Sequence, residues 1–215
     1  MSRRKIVKLI KRKITVHGGK EVFVLTPYEI SWNVMAGHDN KDFVLVWGNG
    51  SGYKHLTECF SIAAELHKNE ILYLPASYRA SEEFNNTFLG CKYNYNIICM
   101  NYCETQLSSK EIEEILKIKV CTEEIVNRNP KINTEFIDRW KTNKRLTVKI
   151  HKRNMYISTN SDGFKSLSHG AYNLTEYGDE YMEDLPHMHY DWGENTAASV
   201  GVTLYYWNDR DERNG

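Results

Sequence analysis

An α/β fold built on a parallel core is what the sequence predicts, and three observations predict it. Between residues 42 and 118, short apolar runs alternate with helical patterns. The connections between them are short. Upstream, two β-prone runs flank a Gly-Gly turn. Strand–helix alternation is the signature of βαβ units on a parallel sheet, and strands covered on both faces read as nearly unbroken apolar runs. The expected architecture is a βαβαβα core over roughly residues 42–118, with an N-terminal hairpin before it and a C-terminal α+β extension after it. A boundary near residue 120 divides the chain into parts 1–120 and 121–215, which can share one compact domain.

The elements follow in order. Arg3, Arg4 and Lys5 lead into Ile6-Val7-Lys8-Leu9-Ile10-Lys11-Arg12-Lys13. This start lacks the apolar stretch of a secretion signal and reads as a solvated strand or helix with one buried stripe. Residues 14–16 and 21–25 around His17-Gly18-Gly19-Lys20 predict a hairpin, and Pro27 ends its second strand. Residues 28–36 are ambiguous, with Ile30, Val34 and Met35 at near-helical spacing. Phe43-Val44-Leu45-Val46-Trp47 is a strand. A helix is expected over about 54–67, where Leu56, Phe60, Ala63, Ala64 and Leu66 mostly share one face. A strand at 71–74 closes on Pro75, a helix at 81–89 is capped by Ser81, and a strand at 95–100 follows. Ser108 and Glu111 spell a capping box ahead of Ile112, Ile115 and Leu116.

Beyond Val120 the rhythm changes. Asn133 or Thr134 can cap a helix through Phe136, Ile137 and Trp140. Residues 146–150 and 155–158 pair as a hairpin, and 200–207 make a last strand rich in Tyr and Trp. Residues 160–195 are rich in Gly, Ser, Asp and Tyr and read as an irregular connection too long to be idle. No internal repeat is apparent.

Composition narrows the function. The chain has 215 residues, 41% hydrophobic and 12% aromatic, which is enough to bury a core without staples. Its 28 basic residues balance 28 acidic ones, so no net field draws it to nucleic acid. Five cysteines, odd in number and irregularly spaced, argue against a disulfide framework and for a reducing cytoplasm. No apolar run spans a bilayer.

Three candidate sites emerge. The first is Gly48-Asn49-Gly50-Ser51-Gly52-Tyr53-Lys54, between a strand and a helix start, where glycines admit close approach and backbone N–H groups meet an anion. Gly48, Gly50, Ser51, Gly52 and Lys54, with Arg79 from the next rim loop, are the expected ligands for a phosphorylated compound. A third rim loop runs from Tyr102 to Gln106. The spacing departs from both the dinucleotide and P-loop fingerprints. Ser77, Cys103 and Thr105 are nucleophile types on these loops, without a Gly-x-Ser-x-Gly elbow.

The second candidate is Pro186-His187-Met188-His189-Tyr190-Asp191-Trp192-Gly193-Glu194. In an extended chain His187, His189 and Asp191 face one way, and with Glu194 they can hold zinc, iron or manganese. His187, His189, Glu194 and Gly201 resemble part of the first cupin motif. The glycine expected before His187 is missing and a cupin fold conflicts with βαβ units, so metal binding is not carried over from that likeness. The third candidate is a partner surface in the same region, with Tyr181, Tyr190 and Trp192 as its aromatic anchors.

The leading expectation is a non-enzymatic cytoplasmic interaction protein of inhibitor, immunity or anti-defence type. It would act on a protein partner, and the abundance of Ile, Lys, Asn and Tyr hints at an AT-rich bacterial or phage genome. The alternatives are a nucleotide or phospho-ligand binder, or enzyme, centred on residues 48–54, and a metal-dependent enzyme using His187, His189 and Asp191. The sequence assigns no particular cofactor, and neither nucleic acid nor membrane is an expected partner.

Overall fold

The computed structural model describes residues 6–16, 18–31, 33–39, 44–77, 80–119, 121–133, 146–175, 187–190 and 201–207. The fold is mixed α/β, with two sheets and, among the described residues, four helices. The basic N-terminal run is strand β1 (Val7–Thr15), with Leu9 and Ile14 as its buried residues. It forms the expected hairpin with β2 (Glu21–Pro27), closed by Gly18 and Gly19 at φ of 86° and 76°. The remaining strands are β3 (Val34–His38), β4 (Val44–Gly48), β5 (Glu70–Leu74), β6 (Lys92–Tyr93), β7 (Asn96–Asn101), β8 (Thr122–Arg128), β9 (Thr147–His151), β10 (Asn154–Thr159), β11 (His187–Tyr190) and β12 (Val202–Tyr206). The helices are α1 (Gly50–Ala64), α2 (Glu82–Thr87), α3 (Ser109–Lys117) and α4 (Ser161–Asn173).

The seven-stranded sheet runs β8-β1-β2-β5-β7-β10-β9 and the five-stranded sheet β11-β12-β4-β3-β6. Strand alternation sorts their side chains. Val44, Val46, Leu72, Leu74, Ile97, Cys99, Met155, Ile157, Val202 and Leu204 join α1 and α4 in one central core. The opposite face of the larger sheet, with Val22, Val24, Ile71, Ile98 and Tyr156, is covered by Leu107, Ile112 and Ile115 at α3. Leu45, Trp47 and Trp207 on the far face of the smaller sheet meet Phe84 of α2. Ser81 caps α2, and Ser108 with Glu111 completes both halves of the expected capping box at α3.

The three strands expected to lie parallel and side by side are arranged differently. Strand β4 belongs to the smaller sheet, whereas β5 and β7 are antiparallel neighbours in the larger one, with Leu72 opposite Cys99. Parallel pairs do occur, β2 with β5, β7 with β10 and β4 with β12. The last two join segments far apart in sequence. Alternation of strand and helix says nothing about which sheet a strand enters, and here helix α1 carries the chain from one sheet to the other. The parts before and after residue 120 each contribute strands to both sheets.

A hidden duplication explains this weave. In the unit β3-β4-α1-β5-β7 a hairpin leads into a helix, and β5 and β7 then pair in the other sheet, while the short β6 between them in sequence returns to β3. The unit β9-β10-α4-β11-β12 repeats the plan, so that β7 lies on β10 and β12 on β4. The registers correspond, with Met155 opposite Ile97 and Val44 opposite Val202. Both helices begin on an Asn at φ −86°. Asn49 Oδ1 accepts the Gly52 N–H at 3.0 Å and Asn160 Oδ1 accepts the Gly163 N–H at 2.9 Å. Buried Tyr53 and Phe164 come next. Asn-x-x-Gly-aromatic-Lys-x-Leu is thus present twice, in spans too short to stand out as a repeat.

Residues 160–195 are not simply an irregular connection, since α4 occupies 161–173. Its Ser161, Gly163, Ser166, Ser168 and Gly170 are poor helix formers, which is why the sequence reading passed over it. Packing stabilises it instead. Ser168 Oγ donates to the Thr57 carbonyl at 3.0 Å and lies 2.8 Å from Ser61 Oγ on α1. Strand β8 was also unforeseen, because as an edge strand its side chains are mostly exposed and carry no apolar run. The helix expected near residues 134–140 lies outside the described residues.

Candidate functional site

The glycine loop has the predicted local form, a strand running into a helix start, but its surroundings oppose an anion. A Cβ on Gly52 would lie 2.0 Å from the Asn33 carbonyl oxygen, and one on Gly50 would lie 3.0 Å from that of Thr175. Two carbonyl oxygens of the chain therefore stand over the first turn of α1, one of them just past the C-terminus of α4. Their partial negative charge already complements the positive end of the helix dipole. The Gly52 N–H is taken by Asn49, Ser51 Oγ donates to Asn49 Oδ1 at 2.9 Å, and Asn33 Nδ2 donates to Ser51 Oγ at 2.7 Å. The glycines at 50 and 52 serve close backbone approach. Gly48 is buried in β4, where its carbonyl accepts the Trp207 N–H at 2.9 Å.

Of the three expected rim loops, two do converge. Ser77 Oγ donates to the Ser31 carbonyl at 2.8 Å, close to the Asn33–Ser51 contact. The third lies at the other end of the sheet, because β7 runs antiparallel to β5; there the Glu104 carbonyl accepts the Asn69 N–H, and Thr105 Oγ1 donates to the Glu70 carbonyl. Arg79 lies outside the described residues. Beside the converged loops is a cleft lined largely by apolar groups, including Pro27, Ile30, Val34 and Leu74, with Ser31 and His55 among its polar members. His55 Nε2 is 3.5 Å from Cys59 Sγ, which is buried. The cleft holds about 30 Å³, room for a water or two and far short of the several hundred Å³ of a ligand pocket.

The second candidate is half visible. His187 and His189 are both exposed on β11, on one face as period two requires, and their ring centroids are 4.6 Å apart. The His187 ring stacks on Tyr205 of the adjacent strand at 5.2 Å, and His189 Nδ1 is 3.1 Å from Thr203 Oγ1. Thr203 and Tyr205 could be found only once the β11–β12 register was known. Asp191 and Glu194 lie outside the described residues. Among the described residues no three His, Cys, Asp or Glu side chains gather as a metal centre.

Of the three aromatic anchors, Tyr190 is a correction. It follows His189 on the strand, so it points inward; its hydroxyl donates to the Ser166 carbonyl at 2.7 Å, and it sits over Gly170, where a Cβ would lie 2.0 Å from that oxygen. Burial pushes its phenol up to about 12, with the Ser166 contact acting the other way. Such a residue is core and presents nothing to a partner. Tyr181 and Trp192 lie outside the described residues.

The clearest open feature carries no signal in the sequence pattern, because its side chains are mostly exposed. Among the described residues strand β8 ends the larger sheet, with β1 as its one paired neighbour. Ile125 is 62% exposed at its centre; Glu123 and Glu124 precede it, opposite Arg12 and Lys11 of β1, with Glu124 Oε1 3.9 Å from Lys11 Nζ. At its C-terminal end Arg128 Nη2 donates to both carboxylate oxygens of the buried Glu70, at 2.8 and 3.0 Å. No helix among the described residues is long and apolar enough to cross a membrane. Compared with protein families, curated proteins and solved structures, the chain finds no match.

Proposed function

We propose that this protein is a non-enzymatic interaction protein of inhibitor, immunity or anti-defence type, working in the cytoplasm by binding a protein partner at the free edge of β8. The observation that carries this reading is that edge. Among the described residues no strand pairs with the outer backbone row of β8, and such a row, with an apolar side chain at its centre, accepts an added strand from another protein. Glu123 and Glu124 stand opposite Arg12 and Lys11 of β1, so charge at this edge is balanced within the sheet, and strand pairing with Ile125 at its centre is what the edge offers a partner. The Arg128–Glu70 ion pair ties the strand to β5, so the edge is held before the partner arrives, which lowers the ordering cost of binding.

Native mass spectrometry of the protein purified from its own host tests the reading. It should travel as a defined complex with one protein. Ile125→Lys changes an exposed side chain at little cost to folding and should remove that complex while leaving the thermal midpoint in place. Recovery of the free chain alone, or a complex indifferent to Ile125→Lys, overturns the assignment to this edge.

A further inference from the structure

We propose that His187 and His189 form a binding site for a divalent transition cation of the zinc and copper class. The inference stands apart from the partner reading, since it concerns the isolated chain and a different sheet. An ion held about 2.0–2.1 Å from one nitrogen of each imidazole, with roughly tetrahedral to right-angle ligation, sets the two ring centroids about 4.5–5.2 Å apart. The observed separation is 4.6 Å. The rings therefore stand at the spacing of two ligands on one ion before any ion arrives.

Their orientation is supported as well. Metal-binding imidazoles commonly donate the second ring N–H to a neighbour, which fixes the tautomer and aims the free nitrogen. His189 has such a neighbour, Thr203 Oγ1, 3.1 Å from Nδ1 on the directly opposite residue of β12. With Nδ1 protonated, Nε2 carries the lone pair. His187 lies against the Tyr205 ring at 30° between planes, again from the directly opposite residue. Both histidines are exposed, on the strand that ends the smaller sheet among the described residues, so an ion can enter and leave. With two imidazoles supplied by β11, water completes the shell, and neutral nitrogen ligands suit copper and zinc over magnesium or calcium.

The test uses the full, untagged chain with Cu²⁺ and Zn²⁺ as probes. Electron paramagnetic resonance of the copper form should show nitrogen hyperfine coupling from two imidazoles, and competition against a chelator should give the zinc affinity. His187→Ala and His189→Ala should each weaken binding by at least about tenfold, and Thr203→Val, which keeps both imidazoles, by about tenfold through lost orientation. Circular dichroism should show every variant folded. Copper held equally well by the His187→Ala/His189→Ala double variant, or a Thr203→Val variant that binds as the parent does, overturns the proposal.

Discussion

Gly52→Ala is the sharpest test of why the glycine loop is glycine-rich. An ordinary alanine substitution inside a helix stabilises, by about 1 kcal/mol relative to glycine. Here the new methyl would lie 2.0 Å from the Asn33 carbonyl oxygen, 2.8 Å from its carbon and 3.1 Å from Val34 Cγ2. Two of these are main-chain atoms, so relief requires the segment before β3 to move away from α1. Overpacking of this kind costs about 1–3 kcal/mol, and contact with backbone puts it at the upper end. The net expectation is destabilisation by about 2 kcal/mol, or a fall of roughly 4–8 °C in the thermal midpoint for a chain of this size. The duplicated unit supplies an internal control. A Cβ on Gly163 would meet the Thr159 side chain at 2.0 Å, and the corresponding residue of the first unit is Gly48. Gly163→Ala should therefore destabilise on its own and be largely rescued by Thr159→Ala, whereas no side-chain deletion should rescue Gly52→Ala. Thermal unfolding by circular dichroism reads these variants. A Gly52→Ala protein as stable as the parent, or more so, would refute the close-approach argument.

Three further outcomes are expected. Tyr190→Phe should cost about 1 kcal/mol, the worth of its hydrogen bond to Ser166, and Tyr190→Ala about 3–5 kcal/mol from the cavity left in the core; urea unfolding measures both, and a neutral alanine variant would mean Tyr190 is a surface residue. Ser108→Ala should lose about 1 kcal/mol by uncapping α3, seen as a lower urea midpoint at unchanged slope. Glu113 of α3 pairs with Lys152 in the β9–β10 turn and stands 3.1 Å from His151. The hydrogen bond from Lys152, and then the nearby positive charges, hold its carboxyl below the ordinary glutamate range. A folded-state value below the unfolded one contributes stability above the unfolded value that is lost as pH falls through the folded one. The urea midpoint of the parent should therefore drop between about pH 5 and pH 3 more steeply than that of Glu113→Gln, and parallel profiles would exclude the pair as a source of acid sensitivity.

Local features were legible because their causes are local. The capping box at Ser108, the Ser81 cap, the Gly18-Gly19 turn and the 146–158 hairpin each depend on a few neighbouring residues whose side chains or φ angles select one conformation. The strand–helix–strand rhythm between residues 42 and 118 was readable for the same reason. Helix α4 was not, because its serines and glycines have little helical preference and stay helical through contacts with α1. Strand β8 was not, because its stability comes from pairing with β1 more than a hundred residues away.

At the candidate sites the same division holds. Period-two alternation placed His187 and His189 on one face and, applied to the next residue, puts Tyr190 inward; the sequence reading nonetheless took Tyr190 as a partner anchor. What the sequence by itself determined was the kind and place of most elements and the two-residue beat of their side chains. Only the tertiary structure decided that β4 and β5 enter different sheets, that Asn33 and Thr175 stand over the start of α1, and that Thr203 lies opposite His189. Those facts follow from non-local pairing between distant strands, which depends on how the two duplicated units interlock to bury α1 and α4, and no short stretch of residues encodes that arrangement.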